Sequence, residues 1–500
     1  MKPTSFSLAR RLALTASLFA ATCCSLHAAT LYYDADGTGG GTALNYGNGI
    51  WSTTAALWLT GTPGTAGGTY SGWTNSSADT AAIGATGYVA TTSPFTLTLG
   101  SNIIANGLSI SNNLTQSVTV TGNGFTLQLG GAGIGSNQAT AGVTATIDAV
   151  IIGASGLLKF NSGTVILTQN NTYTNGTTLS GGTTGATPGG TLQVGNGGTA
   201  GTLSTGGVTY TLATGQTAAS TLSFNRSDAY TAPNNLSVAS TNTVGGIVQQ
   251  AGSNKLTFSG TVNTGTAAAG TQVFTFNIGR TAAIPVDTEV AGVVSGAGAL
   301  TKTGAGVLQL SATNTYTGAT TVNAGTLLYN GNSVAVTGAV TLNNAGSVLG
   351  GTGTLGGAVT VNSGAILQGG AGAATGTLTL TSNPVLNAGS VIGLTLGTGN
   401  THSTLALPAG FNGFQLNQTF TLAGLQPGTY DNIITGVAGT VVPTAFTVNN
   451  NTSSYVILFT NDGANIDLSV TAVPEPSTWA ALGLGAVATG LVWRRRRQVA

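Results

Sequence analysis

The chain has 500 residues, of which 41% are hydrophobic, 79 are glycine and only 5% are charged, against about 25% charged in an ordinary soluble protein. Glycine follows no Gly-X-Y period, which excludes a collagen helix, and the β-branched content favours a folded β protein over a disordered chain. The formal charge of +1 is set by the ends: between Thr30 and Val473 five basic residues face ten acidic ones, a net of −5, which leaves no basic field for nucleic acid.

The first element is a leader. Lys2, Arg10 and Arg11 precede the short apolar run LALTASLFAA at residues 12–21, and Ala28 and Ala29 are small enough for cleavage. This reads as a signal peptide over 1–29, implying export through the Sec translocon. Ten apolar residues at about 1.5 Å each cannot cross about 30 Å of hydrocarbon. Both cysteines, Cys23 and Cys24, fall inside the leader. The mature chain is therefore expected to lack disulfides, thiolate metal sites and a cysteine nucleophile.

Residues 30–100 read as an N-terminal β cap region. Tyr32, Tyr33, Trp51, Trp58 and Trp73 gather here. They either seal the first coil of a repeat array or, if exposed, stack on sugars. Asp34 and Asp36 precede Gly37, a polar turn that lacks the third carboxylate of a calcium site.

Residues 101–402 show short alternating runs broken by Gly and Asn, the period of strands. Two segments repeat: LLKFNSGTVILTQNNTYTNGTTL at 157–179 and LTKTGAGVLQLSATNTYTGATTV at 300–322. Without gaps, Lys159 meets Lys302, Gly163 meets Gly306, and the Asn-Thr-Tyr triplets at 171–173 and 314–316 coincide. A finer pattern follows: Val322, Leu342, Val361 and Leu380 lie 20, 19 and 19 residues apart. That is about one coil of a parallel β-helix, whose coils share a core that none could form alone. The two long segments, about 157–192 and 300–327, resemble the autotransporter-associated β-strand repeat. The resemblance implies a right-handed parallel β-helix. No pattern of a membrane β-barrel follows in this sequence, so self-translocation is not expected.

Candidate chemistry within the body is sparse. Asp287 and Glu289 are two apart, and on one strand face they would lie about 7 Å from each other, within glycosidase reach. A solvated surface pair is the simpler reading, because no Arg, Lys or His clusters beside them in sequence. His402 is the only histidine after the leader and cannot make a metal site alone. Gly351, Gly353 and Gly356 fit a dinucleotide pattern by chance, with no helix pattern after them. No cofactor is expected.

Residues 403–472 lose the repeat and read as a small C-terminal β cap. Its hairpin runs through 455–459 and 466–468 about Asp462-Gly463. The tail, 473–500, begins Val473-Pro474-Glu475-Pro476. An apolar stretch at 479–493 and then Arg494, Arg495, Arg496 and Arg497 follow. From Ser477 to Trp493 a helix would span about 26 Å, a marginal transmembrane length. The arginine run belongs on the cytoplasmic side, which places the body outside. This tail resembles the PEP-CTERM sorting signal. The resemblance implies handling by an exosortase that cleaves near Pro474-Glu475-Pro476, in the company of exopolysaccharide and biofilm systems.

The expectation is an all-β, right-handed parallel β-helix with a C-terminal β cap, a signal peptide and a C-terminal transmembrane helix. Its function reads as a non-enzymatic, structural or adhesive protein of the cell surface, outer membrane or matrix, with exopolysaccharide as a partner. The alternatives are a β-helix polysaccharide lyase or hydrolase, and a carbohydrate-binding surface protein.

Overall fold

The computed structural model describes residues 28–473, apart from the short segments 39–43, 64–66, 85–87, 90–92, 111–113, 115, 137–142, 161, 181–188, 212–218, 240–244, 267–271, 281–283, 372–374 and 450–453. The described residues are almost entirely β, with two single-turn 3₁₀ helices, Thr398–Asn400 and Pro443–Ala445. Among them no helix is long and apolar enough to cross a membrane. Residues 1–27 of the expected leader, and the tail from Pro474 onward with its expected transmembrane helix, lie outside the described residues.

Strands pair in parallel with strands one coil away, the pattern of a β-solenoid. Thr320 pairs with Val340 and Val340 with Val359, 20 and 19 residues on. The alternation of the sequence becomes inside and outside. The strand Thr191–Val194 alternates half-exposed Thr and Gln with buried Leu and Val, and the same holds along the stack. One inward column runs Val165, Leu192, Leu222, Val248, Phe276, Lys302, Val322, Leu342, Val361 and Leu386. All of these are buried, so each coil completes the core of the next. The fourth member of the 19-residue pattern is therefore Leu386, not Leu380. The coil is lengthened by the strand Gly376–Leu380, which pairs with Thr354–Leu355 in another sheet.

Among the described residues one sheet has 25 strands and ends at Val385–Leu386. A second, of 10, begins only at Tyr230–Ala232, and a third, of 7, at Asn332–Ser333. Antiparallel strands close both ends. Near the N-terminus Trp58–Thr60 pairs antiparallel with Thr30–Tyr33 and with Thr69–Ser71. Near the C-terminus Tyr455–Asn461 and Asn465–Ala472 form an antiparallel hairpin, turning at Gly463 with φ +108°. Parallel coils leave unpaired strand edges that invite further pairing, and such ends blunt them.

Candidate functional site

The sorting tail leaves from the C-terminal hairpin. Val473 follows the strand Asn465–Ala472, is exposed, and its N–H donates to the Ser454 carbonyl at 2.8 Å. Pro474, Glu475, Pro476 and Arg494 to Arg497 lie outside the described residues.

The repeat signature builds internal devices rather than an exposed constellation. Asn171 and Asn314 are buried where the coil turns. Asn314 Oδ1 accepts the Val294 N–H at 2.9 Å, while its Nδ2 donates to the Ala312 carbonyl and Ser333 Oγ. Asn171 repeats this with the Ile151 N–H and the Gln169 and Thr202 carbonyls. The amide thus satisfies backbone groups that the turning chain withholds from the ladder. The following tyrosines repeat as well: Tyr173 bonds Thr177 at 2.6 Å and Tyr316 bonds Thr320 at 2.7 Å.

Sequence reasoning aligned Lys159 with Lys302 but did not foresee that both point inward. Lys302 is fully buried, and its ammonium donates to the carbonyls of Thr303, Gly304 and Ala324 at 2.8, 2.8 and 3.1 Å. Lys159 Nζ reaches the Phe160 carbonyl at 2.9 Å. Burial pulls both ammoniums down to about 7, with Asp287 opposing the shift at Lys302. Between about 7 and the ordinary 10.5 the unfolded chain holds more protons than the folded one, so stability rises with pH across that window. The urea midpoint is expected to climb from pH 6 to pH 9, and Lys302→Met is expected to flatten the climb. A profile equally steep in the variant would remove Lys302 as its source.

Asp287 and Glu289 do not share an open face. Asp287 is buried, accepting the Val307 N–H at 2.8 Å and pairing with Arg280 at 3.1 Å. Glu289 faces outward from the strand Thr288–Val290, bound by Lys255 and Ser311, both at 2.6 Å. Burial acts to raise the Glu289 carboxyl, but the hydrogen bonds from Lys255 and Ser311 outweigh it and hold it below the usual range. Arg280 reaches Asp287 from seven residues upstream, Lys255 reaches Glu289 from the preceding coil, and the two cations neutralise these carboxylates.

Asp34 is buried and accepts from Tyr70 Oη at 2.5 Å and the Asn45 N–H at 3.0 Å, while Asp36 takes the Thr38 N–H and Asn45 Nδ2. This is the polar turn. Among the described residues no three His, Cys, Asp or Glu gather as metal ligands. His402 Nδ1 lies 3.1 Å from the Ser403 carbonyl, with its ring edge-on to Tyr430. Gly351, Gly353 and Gly356 lie against backbone carbonyls of the preceding coil, so close stacking explains that pattern.

The N-terminal aromatics are core. Tyr33, Trp51, Trp58 and Trp73 are at most 2% exposed. The three indoles pack with centroids 4.8 to 5.2 Å apart. These four rings are thereby unavailable for stacking on sugars, while Tyr32 is half-buried.

The chain matches the passenger-associated-transport-repeat family over residues 157–184 and 300–328, and the PEP-CTERM protein-sorting motif over 472–497. It is 34% identical over 178 residues to the adhesin BmaC autotransporter of Brucella suis biovar 1 (strain 1330), a match covering 36% of this chain and 5% of that protein. No solved structure matches the chain. The chain therefore carries both features read from its sequence, the sorting motif and the passenger-type repeats. Together they mark an exported, surface-associated protein.

Proposed function

We propose that this protein is a sorted component of the cell surface or extracellular matrix, with a structural or adhesive role and no enzymatic one. Its carrying observation is the union, in one chain, of a PEP-CTERM motif and adhesin-like repeats. In this reading the chain leaves through the Sec translocon and coils as a right-handed β-helix. The helix at 479–493 holds it in the membrane with Arg494 to Arg497 inside, until an exosortase cuts near Pro474-Glu475-Pro476. Exopolysaccharide is the surrounding partner. The non-enzymatic role is supported by the engagement of Asp287 and Glu289 in separate ion pairs.

The test follows the C-terminus in the native bacterium, with an epitope tag placed before Val473, cell fractionation, and mass spectrometry of the mature end. A cut near the Pro-Glu-Pro triplet, lost on exosortase deletion and in Glu475→Ala, is expected. An intact tail retained in the inner membrane of wild-type cells would sink the sorting.

A further inference from the structure

Two hollows lie side by side on the flank of the solenoid. One, of about 350 Å³, is lined by Asn123, Phe125, Thr126, Asp148 and Gln169. The other, of about 510 Å³, is lined by Asn170, Thr172, Thr174, Thr205, Tyr230 and Pro233 among others. Gln169 lines the first and its chain neighbour Asn170 lines the second. Five successive coils contribute, so at about 4.8 Å per coil the furrow is about 19 Å long.

Each hollow owes its shape to a local break in the stack. In the strand Val118–Ser136, Thr121 pairs with Asp148 and Thr126 with Val150. Four residues therefore bulge out where the partner strand has one. Asn123 and Gly124 take φ of +46° and +86°, and the bulge lifts Phe125 into solvent. Phe125 is the one aromatic among the large apolar side chains left exposed in the described residues. Bulges commonly re-aim side chains toward sites. The second hollow lies where the 10-stranded sheet starts at Tyr230–Ala232, whose upstream coil supplies no strand to that sheet. Arg226 sits 4.4 Å over the Tyr230 ring and is itself tied to Asp228 at 2.8 Å and to the Gly201 carbonyl at 2.5 Å, which fixes the ring in place.

We propose that this furrow binds a neutral glycan chain, with Phe125 and Tyr230 as stacking platforms near its two ends. Most lining residues carry a hydroxyl or an amide set among apolar surface, offering donors and acceptors beside apolar area, as a polyhydroxylated ligand with apolar ring faces requires. Aromatic faces cover the apolar face of a sugar ring. Neither hollow is lined by Lys, Arg or His, and the body carries a net −5, so acidic polymers are disfavoured. Asp148 Oδ1 is held by Thr168 Oγ1 at 2.5 Å and Gln169 Nε2 at 2.7 Å, and Oδ2 by Thr121 at 3.2 Å. The carboxylate is thus oriented in the furrow, ready to accept a sugar hydroxyl. The proposal deepens the surface reading above and rests on it, since the ligand is extracellular.

The test is calorimetric titration of the full chain with maltohexaose, cellohexaose and chitohexaose, and with hexagalacturonic acid as the charged control. At least one neutral hexasaccharide is expected to bind and the acidic one is not. Phe125→Ala and Tyr230→Ala are each expected to weaken binding about tenfold, the scale of one aromatic stacking contact. Tyr230→Phe should retain it. Unchanged melting midpoints would show that the variants fold. No binding by any neutral probe, equal binding in the folded alanine variants, or preference for the acidic hexamer each overturns the furrow. Failure of binding by a chain that is correctly cut and exposed condemns the furrow alone. Failed sorting condemns the surface reading and leaves the calorimetry standing.

Discussion

Replacing Gly338 by alanine is expected to lower stability by about 3 kcal/mol, the upper end of the usual cost of overpacking. Gly298, Gly318, Gly338 and Gly357 occupy one corner of successive coils. A Cβ on Gly338 would fall well inside contact distance of the Gly318 carbonyl oxygen, and Gly357 stands in the same relation to Gly338. The obstacle is backbone, held in place by bonds such as Thr320 N–H to the Ala339 carbonyl at 2.8 Å, so it cannot swing aside. Because each coil is stabilised mainly by its neighbours, the damage should be local first. Hydrogen exchange read by mass spectrometry should show protection lost around 318–360 before the rest of the chain, alongside a lower urea midpoint. Gly131→Ala is the control, since a Cβ there meets nothing within 4 Å, and it should cost at most about 0.5 kcal/mol. Equal midpoints for the two variants would refute the steric account.

Trp58→Ala is expected to cost about 3–5 kcal/mol, the range for emptying a buried aromatic site. Its indole is fully buried, with centroids 4.9 Å from Trp51, 4.8 Å from Trp73 and 5.7 Å from Tyr33. Trp58 also belongs to the antiparallel strand that lies between Thr30–Tyr33 and Thr69–Ser71. Its loss should loosen the cap and bare the first coil to proteases. N-terminal sequencing of limited-digestion products should then find new cuts in 30–100, and near-UV circular dichroism should lose tryptophan signal. A variant as protease-resistant as the parent would show that the solenoid holds without this cluster.

The sequence carried the periodic features well. The alignment of 157–179 with 300–322 anticipated the equivalence of Asn171 with Asn314 and of Tyr173 with Tyr316, because each repeat must solve the same turning problem with the same side chains. Where an inserted strand lengthened a coil, counting failed: Leu380 kept the spacing, yet Leu386 took the place in the core. The furrow gave no signal in the sequence. Phe125 belongs to an alternating run like its neighbours, and only the register shift against 144–152 turns it outward.

By itself the sequence determined the sorting motif, the passenger-type repeats and the acidic balance of residues 30–473. These are written in local order: runs of charge, period and motif at fixed spacing. Tertiary structure alone decided which polar groups meet. Lys302 looks like a surface residue in the chain, but stacking places it in a column of valines and leucines, where turn carbonyls 1 to 22 residues away receive its ammonium. Asp287 and Glu289, two apart in sequence, are bound separately by Arg280 and Lys255. The reason is geometric. In a solenoid the nearest neighbours of a side chain lie one coil away, and the length of each coil, which sets who meets whom, is fixed only when the whole stack has closed.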